Sequence, residues 1–190
     1  MRRVIEYTLI SPDGVFDDPV RLGFMAYRDP AYLRDGLGLL MACEAMLMGR
    51  VIYEANARIW PARAHPWADR LNSMKKYVFS SSLGSADWNN STIIRDDAAA
   101  TVAKLKEQGG GDLLIWGHGR FAESLLQHKL IDALDLSIHP LLVGHGKTVF
   151  WGGPRTRLNL VATKSFSNIV KLSYDVLYSR EAGEPRESAP

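Results

Sequence analysis

The sequence predicts a three-layer α/β domain around a mixed, mainly parallel sheet that ends in an antiparallel hairpin. Short apolar runs typical of buried strands alternate with segments of helical periodicity along most of the chain, whereas the last strand patterns alternate apolar and polar residues. A content of 46% hydrophobic residues in 190 lets the chain bury one core without disulfides. We expect a single domain over residues 1–180 and a disordered tail over residues 181–190, which lack large apolar side chains.

The parallel part of the sheet is predicted from four short runs of branched, aromatic or other apolar residues, at 4–9, 45–48, 77–80 and 113–116. Helical spacing predicts one helix from Pro30 to about Cys43 and another over 121–128, and helix-favouring alanines and leucine predict a third over 98–108. Asp29 precedes the helix at Pro30, and Asp97 precedes the helix over 98–108. An aspartate side chain accepts hydrogen bonds from the free N–H groups of a first helical turn, so both residues suit the N-cap position.

The C-terminal part of the chain predicts antiparallel strands. Residues 134–139 alternate, and residues 170–178 alternate apolar side chains with lysine, serine and aspartate. A turn near Ser167 and Asn168 would pair the segment 170–178 with 157–163 as a hairpin. We place the segment 170–178 at the sheet edge, where its apolar side chains would be unprotected in a monomer. We therefore expect a homodimer.

Charge and composition exclude several classes of protein. Lys and Arg number 23 against 21 Asp and Glu, and this net charge of +2 provides no basic stripe for a nucleic acid. No segment approaches the ~20 consecutive apolar residues that cross a membrane, and none has the form of a signal peptide. A single cysteine, Cys43, allows no internal disulfide. We expect a cytoplasmic protein that binds a small molecule, with neither a nucleic-acid nor a membrane partner.

A glycine-containing turn is the clearest candidate for a binding site. Between a predicted buried strand and a predicted helix stand Gly117, His118, Gly119, Arg120 and Phe121. Small residues there let backbone N–H groups approach a phosphate at the positive end of the helix dipole, although two glycines also occur for turn geometry alone. We reject a Rossmann fingerprint, because Asp132 and Asp135 stand at the start of the following strand and not at its end.

Six segments follow one another in the order found in a known family: residues 11–14, 46–54 with Trp60 and Pro61, 76–81, 113–119, 125–132 and 140–150. The most specific is the run from Met46 to Glu54. In these segments the chain resembles the dihydrofolate-reductase-like family, which includes the RibD C-terminal reductase domain. The resemblance implies a dihydrofolate-reductase-like α/β/α fold and NADPH as the cofactor.

The resemblance also implies which residues meet NADPH. On the adenosine side it places Gly49, Arg50, Val51, Ser80 and Ser81, with Arg50 and Ser81 near the 2′-phosphate. At the pyrophosphate it places the turn that runs from Gly117 to Phe121. The chemistry agrees, because a guanidinium and hydroxyl donors suit a phosphate dianion, whereas a ribose hydroxyl would favour a carboxylate. A solvated arginine and plain strand termination are the alternative interpretations of Arg50 and of the two serines.

The proton donor is less well defined by the sequence. A reductase that delivers hydride to C=N or C=O needs an acid or a water at the other atom. Asp13 is the first candidate catalytic residue, because its loop resembles the loop over the nicotinamide in relatives, although an Asp-Gly turn also explains it. Other candidates are Asp17, Asp18, Asp29 and Glu54. The five histidines have no metal-ligand spacing, so we expect no structural metal.

The favoured function is NADPH-dependent reduction of a small heterocycle. By analogy the substrate is dihydrofolate-like or a ribosylaminopyrimidine, as in the 5-amino-6-(5-phosphoribosylamino)uracil reductase step of riboflavin biosynthesis. Two alternatives stay open: a reductase of unrelated xenobiotic or secondary-metabolite carbonyls, and a catalytically inactive nucleotide-binding or regulatory module with the same fold.

Overall fold

Eight strands in the described part of the chain form one sheet, and their order decides where sites can lie. The computed structural model describes residues 1–27, 29–150 and 152–178, so the predicted tail at 181–190 lies outside it. The strands are β1 (Val4–Ile10), β2 (Cys43–Gly49), β3 (Lys75–Phe79), β4 (Ser91–Ile94), β5 (Asp112–Trp116), β6 (Ala133–Ile138), β7 (Arg157–Phe166) and β8 (Ile169–Leu177). Their order is β4-β3-β2-β5-β1-β6-β8-β7. All pairs from β4 to β6 are parallel, whereas β8 runs antiparallel to β6 and β7.

Five α-helices among the described residues cover the two faces of this sheet. They are α1 (Pro30–Ala42), α2 (Arg50–Ala57), α3 (Pro66–Ser73), α4 (Ala98–Glu107) and α5 (Arg120–Gln127). On one face Leu40 of α1 and Leu71 of α3 pack in a buried cluster with Met46 of β2. On the other face Val102 of α4 and Leu125 of α5 pack in a second buried cluster. The predicted three-layer α/β/α architecture with a mainly parallel sheet and a C-terminal antiparallel hairpin is confirmed.

The two predicted helix caps are confirmed at the level of hydrogen bonds. Asp29 Oδ1 accepts from the backbone nitrogens of Ala31 and Tyr32 at 2.7 and 3.1 Å, and Asp97 Oδ1 accepts from that of Ala100 at 2.7 Å. Each aspartate satisfies N–H groups that have no partner inside the helix, and this fixes where the helix begins.

The structure also differs from the sequence prediction. Helices α2 and α3 and strand β4 were not predicted; α2 buries only Tyr53 among its residues, which is too little for a helical apolar pattern. The prediction that the segment 170–178 forms the sheet edge is wrong, because β8 pairs on both sides and the edge is β7. The hairpin itself, with its turn at Ser167 and Asn168, is confirmed. The order β2-β5-β1-β6 also differs from Rossmann order, which agrees with the rejected fingerprint.

Lys76 of β3 is a buried cation whose charge is stabilised by the dipoles of backbone carbonyl groups. Its side chain is fully buried, and its Nζ donates to the carbonyl oxygens of Met74, Asn89 and Asn72 at 2.7, 2.9 and 3.3 Å. The same Nζ lies 4.4 Å from the centroid of the Trp88 ring. Burial lowers the pKa of Lys76 to about 8 from its usual 10.5, because desolvation penalises the charged form.

The unfolding free energy should therefore rise with pH because of Lys76. Between pH 8 and 10.5 the unfolded chain keeps the lysine proton that the folded chain has released, so alkaline pH favours the folded state. The gain should reach about 3 kcal/mol at most. We expect Lys76→Met to lack this rise when denaturant unfolding is measured from pH 7 to 10.5. Lys75→Met, at the exposed neighbouring position, is the control and should follow the parent. Parallel pH curves for Lys76→Met and the parent would contradict the prediction.

Candidate functional site

The carboxyl edge of the sheet between β2 and β5 is a topological switch point, the position at which open α/β sheets form a ligand crevice. These neighbouring parallel strands are followed by α2 and α5, which pack on opposite faces of the sheet. Gly49 stands at the N-cap of α2 and Gly119 at the N-cap of α5. Both helix N-termini, with their free N–H groups, therefore meet at one place. In open α/β sheets this is where ligands bind, and helix N-termini favour anions.

Glycines let the two helix starts approach each other. A Cβ atom at Gly49 would lie 3.2 Å from the Cβ of Phe121, and one at Gly117 would lie 3.6 Å from the Cδ1 of Ile52. The Phe121 ring stacks on Phe79 at the end of β3, with ring centroids 4.7 Å apart. The structure thus places Gly49, Gly117 and Phe121 close together in the fold.

The turn between β5 and α5 adopts a conformation that requires glycine. Gly117 has φ 85° and Gly119 has φ 154°, and side-chain-bearing residues rarely adopt either value. No heavy atom of the described chain lies within 4 Å of a Cβ atom built at Gly119, so the outer side of the turn is open. Arg120 is exposed at the first position of α5. This open space and the free N–H groups of the first helical turn match a phosphate in shape and charge.

His118 is the exception within this turn. Its side chain is fully buried and points into the protein, where Nδ1 lies 2.6 Å from Oε1 of Glu6 on β1. Only the backbone of His118 therefore stands at the crevice, and a direct side-chain contact with a cofactor does not fit this geometry. The partner Glu6 was not singled out from the sequence. Its only signal is a charged residue inside a strand that otherwise contains branched and aromatic residues.

The residues predicted for the adenosine side follow the ends of β2 and β3. Arg50 begins α2 with a side chain that is 48% exposed, and its Nη1 lies 3.7 Å from Oε1 of Glu54. Val51 is 72% exposed. Ser80 Oγ accepts from the backbone nitrogens of Ser82 and Leu83 at 3.2 and 3.0 Å, so its oxygen already organises the turn after β3. These positions lie at one edge of two adjacent strands.

Arg95 is a cation at this edge that the sequence interpretation missed. It follows β4, and its Nη1 and Nη2 donate to the carbonyl oxygens of Ser81 and Leu83 at 2.9 and 2.8 Å. The guanidinium thereby holds the loop that carries Ser81 and adds positive charge beside it. The signal available in the sequence was a lone arginine after a short, branched run, which is weak because β4 itself was not predicted.

Asp13 joins two loops at the same edge of the sheet. Its carboxylate accepts from the backbone nitrogens of Gly144 and Val143 at 2.7 and 3.3 Å. Hydrogen bonds from the Ser11 side chain and from these backbone groups lower the pKa of Asp13 to about 2. These hydrogen bonds stabilise the ionised carboxylate and fit a clamp between the two loops, and the role of Asp13 as a proton donor stays a prediction.

The other candidate carboxylates are engaged as well. Asp29 caps α1, and a hydrogen bond from Ser167 is the main cause that lowers its pKa. Asp17 lies 3.4 Å from the Nη2 of Arg21, and Asp18 accepts from backbone nitrogens of its own loop. These carboxylates therefore already have partners in the described part of the chain.

A buried hydroxyl chain lies under α1, next to β5. Tyr7 of β1 and Tyr32 of α1 share a hydrogen bond of 2.7 Å between their hydroxyls, and Tyr32 lies 3.4 Å from Nε2 of His139. Burial raises the pKa of both tyrosines and lowers that of His139 to about 4. The backbone nitrogen of Gly117 donates to the carbonyl of Tyr7 at 2.8 Å, so this chain begins directly beside the glycine turn.

Other features of the described residues are separate from the crevice. An open groove of about 430 Å³ lies between α2 and the loop 83–88, lined by Tyr53, Arg58 and Trp88 among others. Among residues 1–27, 29–150 and 152–178, no helix is long and apolar enough to cross a membrane. The same described ranges contain no group of three or more His, Cys, Asp or Glu side chains arranged to hold a metal ion.

The sheet order, the two helical layers and the edge crevice define a dihydrofolate-reductase-like fold. The chain belongs to the RibD C-terminal domain family, whose model matches residues 4–172. It is 30% identical over 138 residues to the uncharacterised protein YyaP of Bacillus subtilis, a match that covers 69% of this chain and 73% of YyaP. The family resemblance inferred from the sequence is confirmed.

Two solved structures are similar in fold. A Shewanella sp. PV-4 protein provisionally assigned to riboflavin biosynthesis has a TM-score of 0.71 at 16% identity, covering 92% of this chain and 99% of that one. The diaminohydroxyphosphoribosylaminopyrimidine deaminase/5-amino-6-(5-phosphoribosylamino)uracil reductase of Thermotoga maritima has a TM-score of 0.66 at 13% identity, covering 93% of this chain and 57% of that one. At these identities the likeness extends to the fold.

Removal of the Asp13 carboxylate should release the loop at 143 and 144. In Asp13→Ala the two backbone N–H groups lose their acceptor, so their hydrogen exchange should become faster by about tenfold. The native-state exchange rates of these amides, measured by NMR, test this. Asp18→Ala, which removes a carboxylate from the same stretch of chain without touching residue 144, should leave both rates unchanged. Unchanged rates in Asp13→Ala would contradict the clamp.

Proposed function

We propose that this protein is an NADPH-dependent reductase of a small heterocyclic substrate. The observation that carries the proposal is the crevice between β2 and β5, where two helix N-termini and a positive-φ glycine turn meet in a chain of the RibD C-terminal domain family. A dinucleotide with a pyrophosphate and a further phosphate suits this combination of free N–H groups and cations.

The residues at this edge would suit the phosphate-bearing part of such a cofactor. The backbone of Gly119, Arg120 and Phe121 would hold the pyrophosphate at the start of α5, in the open space beside Gly119. Arg50 and Ser81 would hold the 2′-phosphate, with Val51 and Ser80 beside them. Arg95 supports this end, because it fixes the backbone at Ser81. Gly49 would lie beneath the cofactor, between the starts of the two helices.

When bound, NADPH would supply a hydride to the substrate. The task of this chain is then to hold the cofactor at the edge of β5 and to keep the loops around Asp13 closed over that edge. A related reductase named for 5-amino-6-(5-phosphoribosylamino)uracil supports a pyrimidine of this type as the substrate class. A dihydrofolate-like heterocycle is the second substrate class. The riboflavin-pathway assignment follows from the same analogy.

A catalytically inactive nucleotide-binding module is the second candidate function. It is favoured by one observation: the Asp13 carboxylate is occupied by the backbone nitrogens of Val143 and Gly144, and its hydrogen bonds lower its pKa to about 2. Absorbance at the reduced nicotinamide band decides between the two. Oxidation of NADPH with a panel of pterins, aminouracils and simple carbonyls supports a reductase and ranks its substrates. Tight NADPH binding without any oxidation supports the inactive module.

Cofactor selectivity should depend on Arg50. The 2′-phosphate of NADPH gains charge-assisted hydrogen bonds that NADH cannot form, so we expect a preference for NADPH on the order of tenfold to a hundredfold. Arg50→Ala should weaken NADPH binding by a similar factor and leave NADH binding nearly unchanged. Isothermal titration of both cofactors measures this. Arg58→Ala, an exposed arginine just beyond the other end of α2, is the matched control and should retain the selectivity. An equal loss for both cofactors would show that Arg50 does not contact the 2′-phosphate.

We also propose a homodimer, formed through the edge strand β7. This strand is ten residues long and carries exposed apolar side chains at Leu158, Leu160 and Val161. An uncovered edge of this kind tends to pair with another chain. Light scattering should give twice the mass of 21.2 kDa for the parent and a monomer for Leu160→Lys/Val161→Lys. Met41→Lys, at an exposed apolar position of α1, should remain a dimer. A parent protein that is monomeric at micromolar concentration would contradict the proposed homodimer.

A further inference from the structure

Glu6 and His118 form a buried ionisable pair, and neither side chain is among the proposed cofactor contacts. Both side chains are completely shielded from solvent, and the distance between Nδ1 of His118 and Oε1 of Glu6 is 2.6 Å. The hydroxyl of Thr8 donates to the same carboxylate oxygen at 3.1 Å. Within the described chain, Oε2 of Glu6 has no hydrogen-bond partner. A buried carboxylate is tolerated only when it is paired, so the contact with His118 holds both side chains in place.

The position of His118 connects this pair to the conformation of the glycine turn. The residue stands between Gly117 and Gly119, the two positive-φ glycines of the turn at the crevice. Glycine leaves the backbone unusually free, so a turn with two glycines needs other contacts to keep one conformation. At its ends the turn is held by the bond from Gly117 nitrogen to the Tyr7 carbonyl and by the first bond of α5. Between these ends, the His118 side chain connects the turn to the interior.

The imidazole also contacts the loops that border the crevice. The rings of Phe16 and Phe150 approach it edge-on, with centroids 4.8 and 5.0 Å away. These loops are joined by a bridge between Val15 and Thr148. The second ring nitrogen, Nε2, is buried without a hydrogen-bond partner in the described residues. Oε1 of Glu123, in the first turn of α5, lies 3.6 Å from it. The imidazole therefore links β1, the glycine turn, α5 and both loops.

We propose that Glu6 and His118 are positioning residues that fix the turn from Gly117 to Gly119 for an anion. Glu6 holds the imidazole, the imidazole holds the turn, and the turn presents its backbone N–H groups to the phosphate. The inference rests on the proposed function, since the anion is the pyrophosphate of NADPH. It differs from a direct contact, because neither side chain reaches the ligand.

The test separates positioning from stability with an apolar pair of similar shape. Glu6→Leu alone leaves the Nδ1 donor unpaired and should lower the melting temperature. Glu6→Leu/His118→Phe removes both polar groups and should recover most of that loss, because replacement of both partners by apolar groups can be nearly neutral. If the pair positions the turn, the double variant should still bind NADPH about tenfold more weakly than the parent in isothermal titration, as expected for the loss of one supporting hydrogen bond.

Two further variants sharpen the result. His118→Asn keeps a donor close to the position of Nδ1 and should retain NADPH affinity within about threefold of the parent. Thr8→Val removes the other hydrogen bond to Glu6 without touching His118 and should leave the affinity unchanged. Recovery of stability together with parental NADPH affinity in the double variant would overturn the proposal, since the pair would then serve stability alone.

Hydrogen exchange keeps this inference distinct from the proposed function. In the unliganded proteins the amides of Gly117 and Glu123, which are hydrogen bonded to the Tyr7 and Gly119 carbonyls at the two ends of the turn, should exchange about tenfold faster in the double variant than in the parent, because the turn is no longer anchored. If the parent binds no NADPH, the proposed function fails, and these exchange rates alone decide whether the pair holds the turn. Faster exchange supports it, and equal exchange overturns it.

Discussion

The handedness of the strand connections determines where the site lies in this protein. The connections from β1 to β2 and from β2 to β3 run along the sheet in one direction, whereas those from β4 to β5 and from β5 to β6 run in the other. Because such crossovers are right-handed, the first set of helices covers one face and the second set the other. At β2 and β5 the helices leave in opposite directions, so the edge between these strands remains open. The fold creates the crevice before any particular side chain is considered.

Buried charges connect the remaining parts of the structure to this frame. Lys76 ties the end of α3 and the loop before β4 to β3, and Lys171 of β8 reaches Asp35 of α1 and Asp135 of β6 at 2.7 and 2.9 Å. Glu6 does the same for the glycine turn. Each of these groups would be unfavourable in the interior without its partners. Their positions therefore depend on the correct assembly of several elements, which makes them specific for this fold.

The sequence was sufficient for features that depend on local pattern. Apolar runs located β2 and β5, Asp29 and Asp97 located two helix starts, and the paired glycines located the turn at the crevice. Helix α2 was missed because it buries a single side chain, and the edge position of β7 was missed because pairing partners are not encoded in local alternation. The directions of the His118 and Asp13 side chains were missed because their partners lie 112 and 131 residues away in the chain.

Anion binding and proton supply differ in how far a local sequence pattern can predict them. Anion binding uses backbone N–H groups at a helix start, so a short segment is enough to indicate it. Proton supply depends on the protonation state of a side chain, which tertiary contacts control. Asp13 shows the effect, because hydrogen bonds from Ser11, Gly144 and Val143 keep its pKa near 2. Burial has the opposite consequence for Tyr7 and Tyr32, because it raises the pKa of both hydroxyls above the ordinary value for tyrosine. Near the glycine turn, burial therefore opposes ionisation of the hydroxyls beneath α1, whereas hydrogen bonds oppose protonation of the Asp13 carboxylate on its loop.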